Sequence, residues 1–270
     1  SWENGIYASH SLKLTDKLEA IYGLRVSAFS ALGKGEYYTL NENNEVIDST
    51  WYSAGKFVKT YINLEPRLSM VYKLNKFSSL KAAYGRTTQN MHLLTNTNFN
   101  SPMDRWTMSS NNIKPQIADQ VSLGYFRNFS KDMYEFSVEA YYKDMRNQID
   151  FKDNAEFETN DDLESELLYG KGRAYGVEFL LKKKYGRLTG WVGYTLSKSE
   201  KQIDGINNDE WYDARQDRTH DISIVGMYDL NKKWSLSAAW VYYTGNAVTY
   251  PSAKYHVDGR EVVYYSERNG

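Results

Sequence analysis

The sequence has no cysteine among its 270 residues. Disulfides and thiol chemistry are excluded, and the absence fits a chain that passes through an oxidising compartment. Proline is scarce, at four residues, and nowhere do 18 apolar residues run together. A transmembrane helix needs about 20, so none is possible. A membrane barrel stays open, because barrel strands alternate and their average hydropathy looks soluble. An excess of one charge is also missing: the formal net charge is −1, which leaves no footprint for nucleic acid. Ser1, Trp2, Glu3, Asn4 and Gly5 form no signal peptide and include no initiating Met, as in a mature chain or a fragment.

Signatures of chemistry are missing as well. His10, His92, His220 and His256 are scattered without metal-ligand spacing. There is no glycine-rich phosphate loop and no Gly-x-Ser-x-Gly elbow. The stretches NENNEVID, DNAEFETNDDLESE and DGINNDEWYD are acidic, and the run from Asp204 to Asp209 lacks the ligand spacing and central Gly of a calcium loop. Asp217, His220 and Asp221 are close in sequence but open a strand, where a polar cluster facing a barrel lumen is expected. No catalytic residue, metal or cofactor is assigned, and the chain reads as a non-enzyme.

Aromatics are abundant, with 24 Tyr, 7 Trp and 10 Phe, and they favour strands. In WSLSAAWVYYTG (234–245), Trp234, Leu236, Ala238, Trp240 and Tyr242 occupy every second position. The same period of two predicts about ten strands and no helix, arranged as five hairpins. They pair 6–14 with 18–30, 61–74 with 79–87, 120–128 with 133–144, 174–183 with 187–199, and 220–230 with 234–245. Three or four residues join each pair. Long polar segments separate the pairs, at 31–58, 88–118, 145–172, 200–218 and from 246 onward. Strict alternation of short turns with long loops is the pattern of an outer-membrane barrel.

The faces agree with that reading. Leu64, Pro66, Leu68, Met70 and Tyr72 oppose Glu65, Arg67, Ser69 and Lys73, and Tyr134, Phe136 and Val138 oppose Glu135, Ser137 and Glu139. Many strands exceed the roughly 9–11 residues that cross a bilayer. The expected fold class is all-β: an antiparallel up-and-down transmembrane β-barrel, with residues 1–270 forming one partial barrel domain. The chain would enter and leave on the long-loop side with both edge strands open, which lipid does not tolerate, so a larger barrel is expected.

Three stretches carry a family likeness: NIKPQIADQVSLGY (112–125), GRAYGVEFLLKKKYGRLTGWVGYTLSKSE (172–200) and DARQDRTHDISIVGMYDLNKKWSLSAAWVYYTGNAVT (213–249). In order and spacing they resemble the second half of the barrel of a TonB-dependent outer-membrane receptor. The resemblance implies about 22 strands around a plug, of which these would be ten. It also implies active transport of a scarce large solute, such as a siderophore, haem, cobalamin, glycan or peptide. The implied partners are the plug of the same full-length protein, a TonB-type energy-coupling protein, outer-membrane lipid with lipopolysaccharide, and a surface lipoprotein. Plug, signal peptide and final strands are expected outside this chain.

Two sets of side chains are candidates for contact. Arg25, Glu65, Arg67, Glu135, Glu139, Glu178 and Arg187 are the lumen-facing charges expected to hold a plug. Trp51, Tyr52, Trp106, Tyr169, Trp211 and Tyr212 lie in the long segments and are the aromatics expected to meet ligand, since loops on a rigid scaffold carry function and exposed rings stack on flat solutes. Two other readings fit the alternation: a complete ten-stranded outer-membrane barrel with a hydrolytic site at its rim, and a soluble β-protein whose aromatic face binds ligand.

Overall fold

A computed structural model describes residues 1–41, 43–94, 105–152, 163–250, 252–257, 260–264 and 267–269. The acidic run 153–162 lies outside the described residues. The chain opens with β1 (Trp2–Lys13) and β2 (Leu18–Leu32), followed by an outer hairpin of β3 (Gly35–Leu40) and β4 (Val46–Tyr52). Next come β5 (Phe57–Lys73) and β6 (Ser78–Gln89), then a second outer hairpin of β7 (Met91–Leu94) and β8 (Arg105–Met108). The middle holds β9 (Gln116–Phe129), β10 (Tyr134–Phe151), β11 (Leu167–Lys183) and β12 (Leu188–Ile203). The rest is β13 (Tyr212–Asp213), β14 (His220–Asp229), β15 (Ser235–Tyr243), and an outer pair of β16 (Ala253–Val257) and β17 (Arg260–Tyr264).

Ten of these strands form one antiparallel wall in the order β1-β2-β5-β6-β9-β10-β11-β12-β14-β15, with β13 added beside β12. Strands that follow one another in the wall are hydrogen-bonded neighbours, so every expected hairpin is present in the expected order. The short turns carry the chemistry of tight reversals. In the β9–β10 turn, Ser130, Lys131 and Asp132 have positive φ. In the β14–β15 turn, the Asn231 side chain accepts from the backbone N–H of Lys233 and of Trp234. All five short turns lie at one end of the wall, and the outer hairpins at the other. The wall is not closed: β1 and β15 are its edges.

Register puts like with like. Val192, Ile224 and Trp240 form one cross-strand row, and Gly190, Gly226 and Ala238 the next. Side chains on this outward face stay exposed, Trp240 at 52% and Ile224 at 41%, and among the described residues no second sheet covers them. Exposed apolar surface this continuous needs an apolar solvent. The tightly buried apolar residues lie mostly where the long connections meet: Leu94, Ile113, Ile149, Phe151 and Leu167 form one cluster, and Ile203, Ile206 and Tyr212 another.

The strands run further outward than the alternation indicates. β10 continues to Phe151 through a register shift between Arg146 and Gln148, with Asn147 at φ 55°. The extra residue of a bulge reverses the facing of the residues beyond it, which breaks the period of two and hides the extension from a pattern reading.

Ile224→Arg places a charge midway along the outward face and is expected to cost about 2–4 kcal/mol in a bilayer. Ser223→Arg, one residue away on the inner face, is expected to cost far less. Urea unfolding of the full-length protein in lipid vesicles distinguishes the two, and equal losses would reject the assignment of faces.

Candidate functional site

The inner face is built by the residues that alternate with the apolar row. Register sets Arg25 opposite Glu65 and Gly23 opposite Arg67. Glu65 is 7% exposed. It accepts hydrogen bonds from Thr88 Oγ1 at 2.8 Å and Ser27 Oγ at 3.3 Å, while Arg25 and Arg67 each approach it to 3.9 Å. Arg25 also reaches Glu3 at 4.0 Å. Gly5 leaves room for this, since a Cβ there would stand 3.1 Å from the Arg25 guanidinium. Gly23, Arg25, Glu65 and Arg67 line a groove of about 650 Å³ on the inner wall.

A second inner feature is a row of acids. Glu139 pairs with Glu178, Glu178 with Thr195, and Thr195 with Asp221 across four adjacent strands. The three carboxylates border a hollow of about 270 Å³ and have no ion pair or hydrogen bond among the described residues. Directly opposed like charges are destabilising in a sheet, so this row favours cations from whatever faces it. Alternation identifies Glu139 and Glu178. Alternation also sets Asp221 on the inner face, and the register brings it into their row, while His220 turns to the other face and meets Tyr194 at 2.9 Å. Asp217 accepts from the backbone N–H of Ser199 and lies 3.9 Å from Lys198. The three residues thus form no acid–base cluster.

The other two expected lumen charges sit at the short-turn end. Glu135 pairs with Lys184 at 2.9 Å. Arg187 donates to the Asp229 and Leu230 carbonyls at 3.2 and 2.9 Å, and its guanidinium stacks over Tyr228.

At the outer end the long connections pack on one another. The Asn112 side chain donates to the Tyr38 carbonyl at 2.9 Å and to Glu164 at 2.6 Å, and accepts from the Leu40 N–H at 3.3 Å. Asn111 also donates to the Tyr38 carbonyl, and Asn44 to the Leu167 carbonyl. This joins three connections, and the sequence signals it only as a polar Asn-Asn pair. A second knot centres on Asp150. Tyr212 donates to it at 3.0 Å, Arg268 pairs with it at 3.1 Å and Lys201 at 3.6 Å. Burial, and then the Asp150 carboxylate, push the Tyr212 phenol well above its usual range.

The six loop aromatics separate into two groups. Trp51 on β4 and Trp106 on β8 are exposed, at 72% and 64%. Tyr52 meets the Tyr37 ring edge-on, Tyr169 packs against the Leu167 cluster, and Tyr212 is buried at Asp150. Trp211 lies under the Arg173 guanidinium at 4.1 Å, and Lys171 is 5.7 Å away. Both cations belong to the outward row of Tyr175 and Val177. No group of three metal-ligating side chains occurs among the described residues.

The wall, its two faces and its one-ended loops meet a matching family model: the TonB dependent receptor-like β-barrel covers residues 1–267. The chain belongs to that family. Solved structures similar to this receptor barrel include the siderophore receptor PiuA from Acinetobacter baumannii, with a TM-score of 0.60, 14% identity, and coverage of 89% of this chain and 33% of that one. The FrpB iron transporter from Neisseria meningitidis gives 0.58 at 13% identity, over 88% and 32%. The ferripyoverdine receptor of the Pseudomonas aeruginosa outer membrane gives 0.58 at 14% identity, over 90% and 31%. The receptor barrel thus spans about a third of the length of these proteins, and likeness at such identity carries the fold alone. No curated protein matches the chain.

Two predictions concern the outer end of the receptor barrel. Asn112→Ala removes four side-chain hydrogen bonds and is expected to cost about 1–3 kcal/mol locally, seen as faster hydrogen exchange in β3 and β4 with the wall unchanged. His92 is 1% exposed, and burial lowers its pKa from 6.5 to about 4. The unfolded ring therefore binds a proton at a higher pH than the folded one. Stability is full above pH 6.5 and is lost as pH falls toward 4, by up to about 3 kcal/mol. Exchange in β7 and β8 should speed up over that window in the wild type and not in His92→Phe.

Proposed function

We propose that residues 1–270 form one stretch of wall in an energy-coupled outer-membrane receptor. In this reading the outer connections capture a scarce large solute, and the lumen houses a plug from the same protein. A TonB-type protein spanning the periplasm then pulls on that plug, and the solute passes. The outward face lies in outer-membrane lipid, with lipopolysaccharide on the outer side, and a surface lipoprotein can dock on the outer hairpins. No covalent step is assigned to the chain.

The observation that carries this reading is the inner row of Glu139, Glu178 and Asp221, which has no cation among the described residues. An interior filled by a domain with basic groups would supply the charge the row lacks. Arg25, Glu65 and Arg67 border the inner groove and serve as a second contact. Glu135 and Arg187 are bound at the turns and contribute less to plug contact. Of the aromatics, Trp51 and Trp106 are the ones free to stack on a solute. Tyr52, Tyr169, Trp211 and Tyr212 support the loops that present them.

The double substitution Glu139→Gln, Glu178→Gln tests this in the full-length receptor. It removes like-charge repulsion, so the barrel itself should be as stable or slightly more stable. Plug retention should weaken, read as a lower force or denaturant concentration for plug release and as altered solute uptake. Unchanged plug release and uptake would reject the plug contact.

A further inference from the structure

A cavity of about 330 Å³ lies between the outer ends of β6, β9, β10 and β12 and the segment after β13. Its walls are polar in an unusual way. Gln148 comes directly after the Asn147 bulge, which turns its side chain, and is 9% exposed. Its amide forms no hydrogen bond among the described residues, yet it borders the cavity. An amide can make up to about four hydrogen bonds, and those of Gln148 are open to the cavity. Gln116 and His92 border the same space. The His92 ring reaches Ser109 through Nε2 at 3.3 Å, and its Nδ1 has no partner.

The charges have one dominant sign. Lys201 and Asp150 line the cavity, and Asp150 is already paired by Arg268. Arg215 stands at the rim, exposed, with no ion pair or hydrogen bond among the described residues. Among the described residues that line the cavity, two cations, Lys201 and Arg215, stand against one carboxylate, Asp150. A guanidinium with an open fork recognises a carboxylate in two-point fashion, and the amides below it suit neutral hydroxyl or carbonyl oxygens.

We infer that this cavity is a subsite for a hydroxycarboxylate group, with Arg215 holding the carboxylate and Gln148 and Gln116 bonding its neutral oxygens. The inference rests on the proposed function only for the source of the solute; the recognition itself rests on the cavity. Its volume suits one substituent of a larger solute rather than the whole of it.

The test is calorimetric titration of the full-length receptor in detergent with citrate, using sorbitol as the uncharged control. Citrate should bind saturably and sorbitol should not. Arg215→Gln should weaken citrate at least tenfold, and added salt should weaken it in the wild type. Gln148→Leu fills the same volume without the unpartnered amide. It should therefore fold at least as well as the wild type while weakening citrate several-fold. Absence of saturable citrate binding, or equal affinity in all three proteins, overturns the subsite. If the same receptor still inserts and takes up solute, the proposed function stands and this inference alone falls.

Discussion

Hydrocarbon accepts no hydrogen bonds, and this governs the wall from β1 to β15. Each backbone N–H and C=O that crosses the bilayer must find its partner on a neighbouring strand. Antiparallel pairing along strands as long as β5 and β10, of 17 and 18 residues, meets that demand. Once pairing fixes the strands, side chains have only two directions. The face toward lipid becomes apolar in Val192, Ile224 and Trp240. The other face is released from that demand and can carry Glu65, Arg25 or Glu139 in mid-strand. The polar chemistry of the inner wall is thus a consequence of the apolar solvent on the far side.

Water returns at the ends of the strands, and the physics changes there. The hydrophobic effect again favours burial, so the Leu94–Leu167 and Ile203–Tyr212 clusters sit among the outer connections. Each buried side chain contributes roughly 1.5–3 kcal/mol, whereas ordering one loop residue costs about 1–2 kcal/mol. Apolar packing of a few residues therefore orders only short stretches. Asn112 and Asp150 add bonds that join one connection to the next, so that stabilising one stabilises its neighbours. This is why Tyr212 and Tyr169 are spent on packing, while Trp51 and Trp106, on outer hairpins, are left to face the solvent.

The ten strands, their order and the separation of faces were legible because a period of two depends only on which solvent each side chain meets. Boundaries were legible only where that period survives. At Asn147 one extra residue reverses the facing, and the outer part of β10 leaves the pattern. Asp221 belongs with Glu139 and Glu178, yet it reads as a neighbour of His220, because adjacency along the chain is visible in sequence and adjacency across strands is not. Arg187 alternates correctly for a lumen charge, but its guanidinium reaches the Asp229 and Leu230 carbonyls at the end of β14 instead.

The two inner features of the wall differ in what they require of a partner. Around Glu65 two arginines, one serine and one threonine surround a single carboxylate, and Arg25 also reaches Glu3, so a partner gains less by approaching here than at the acid row. The Glu139–Glu178–Asp221 row is the opposite case, since opposed carboxylates repel and no neighbouring strand supplies relief. In the proposed receptor, an interior domain that must be held firmly and yet released on demand would be better served by the second arrangement. Cations brought to this row would form charge-assisted contacts on a face open to lumen water, and hydration would replace those contacts once the cations moved away.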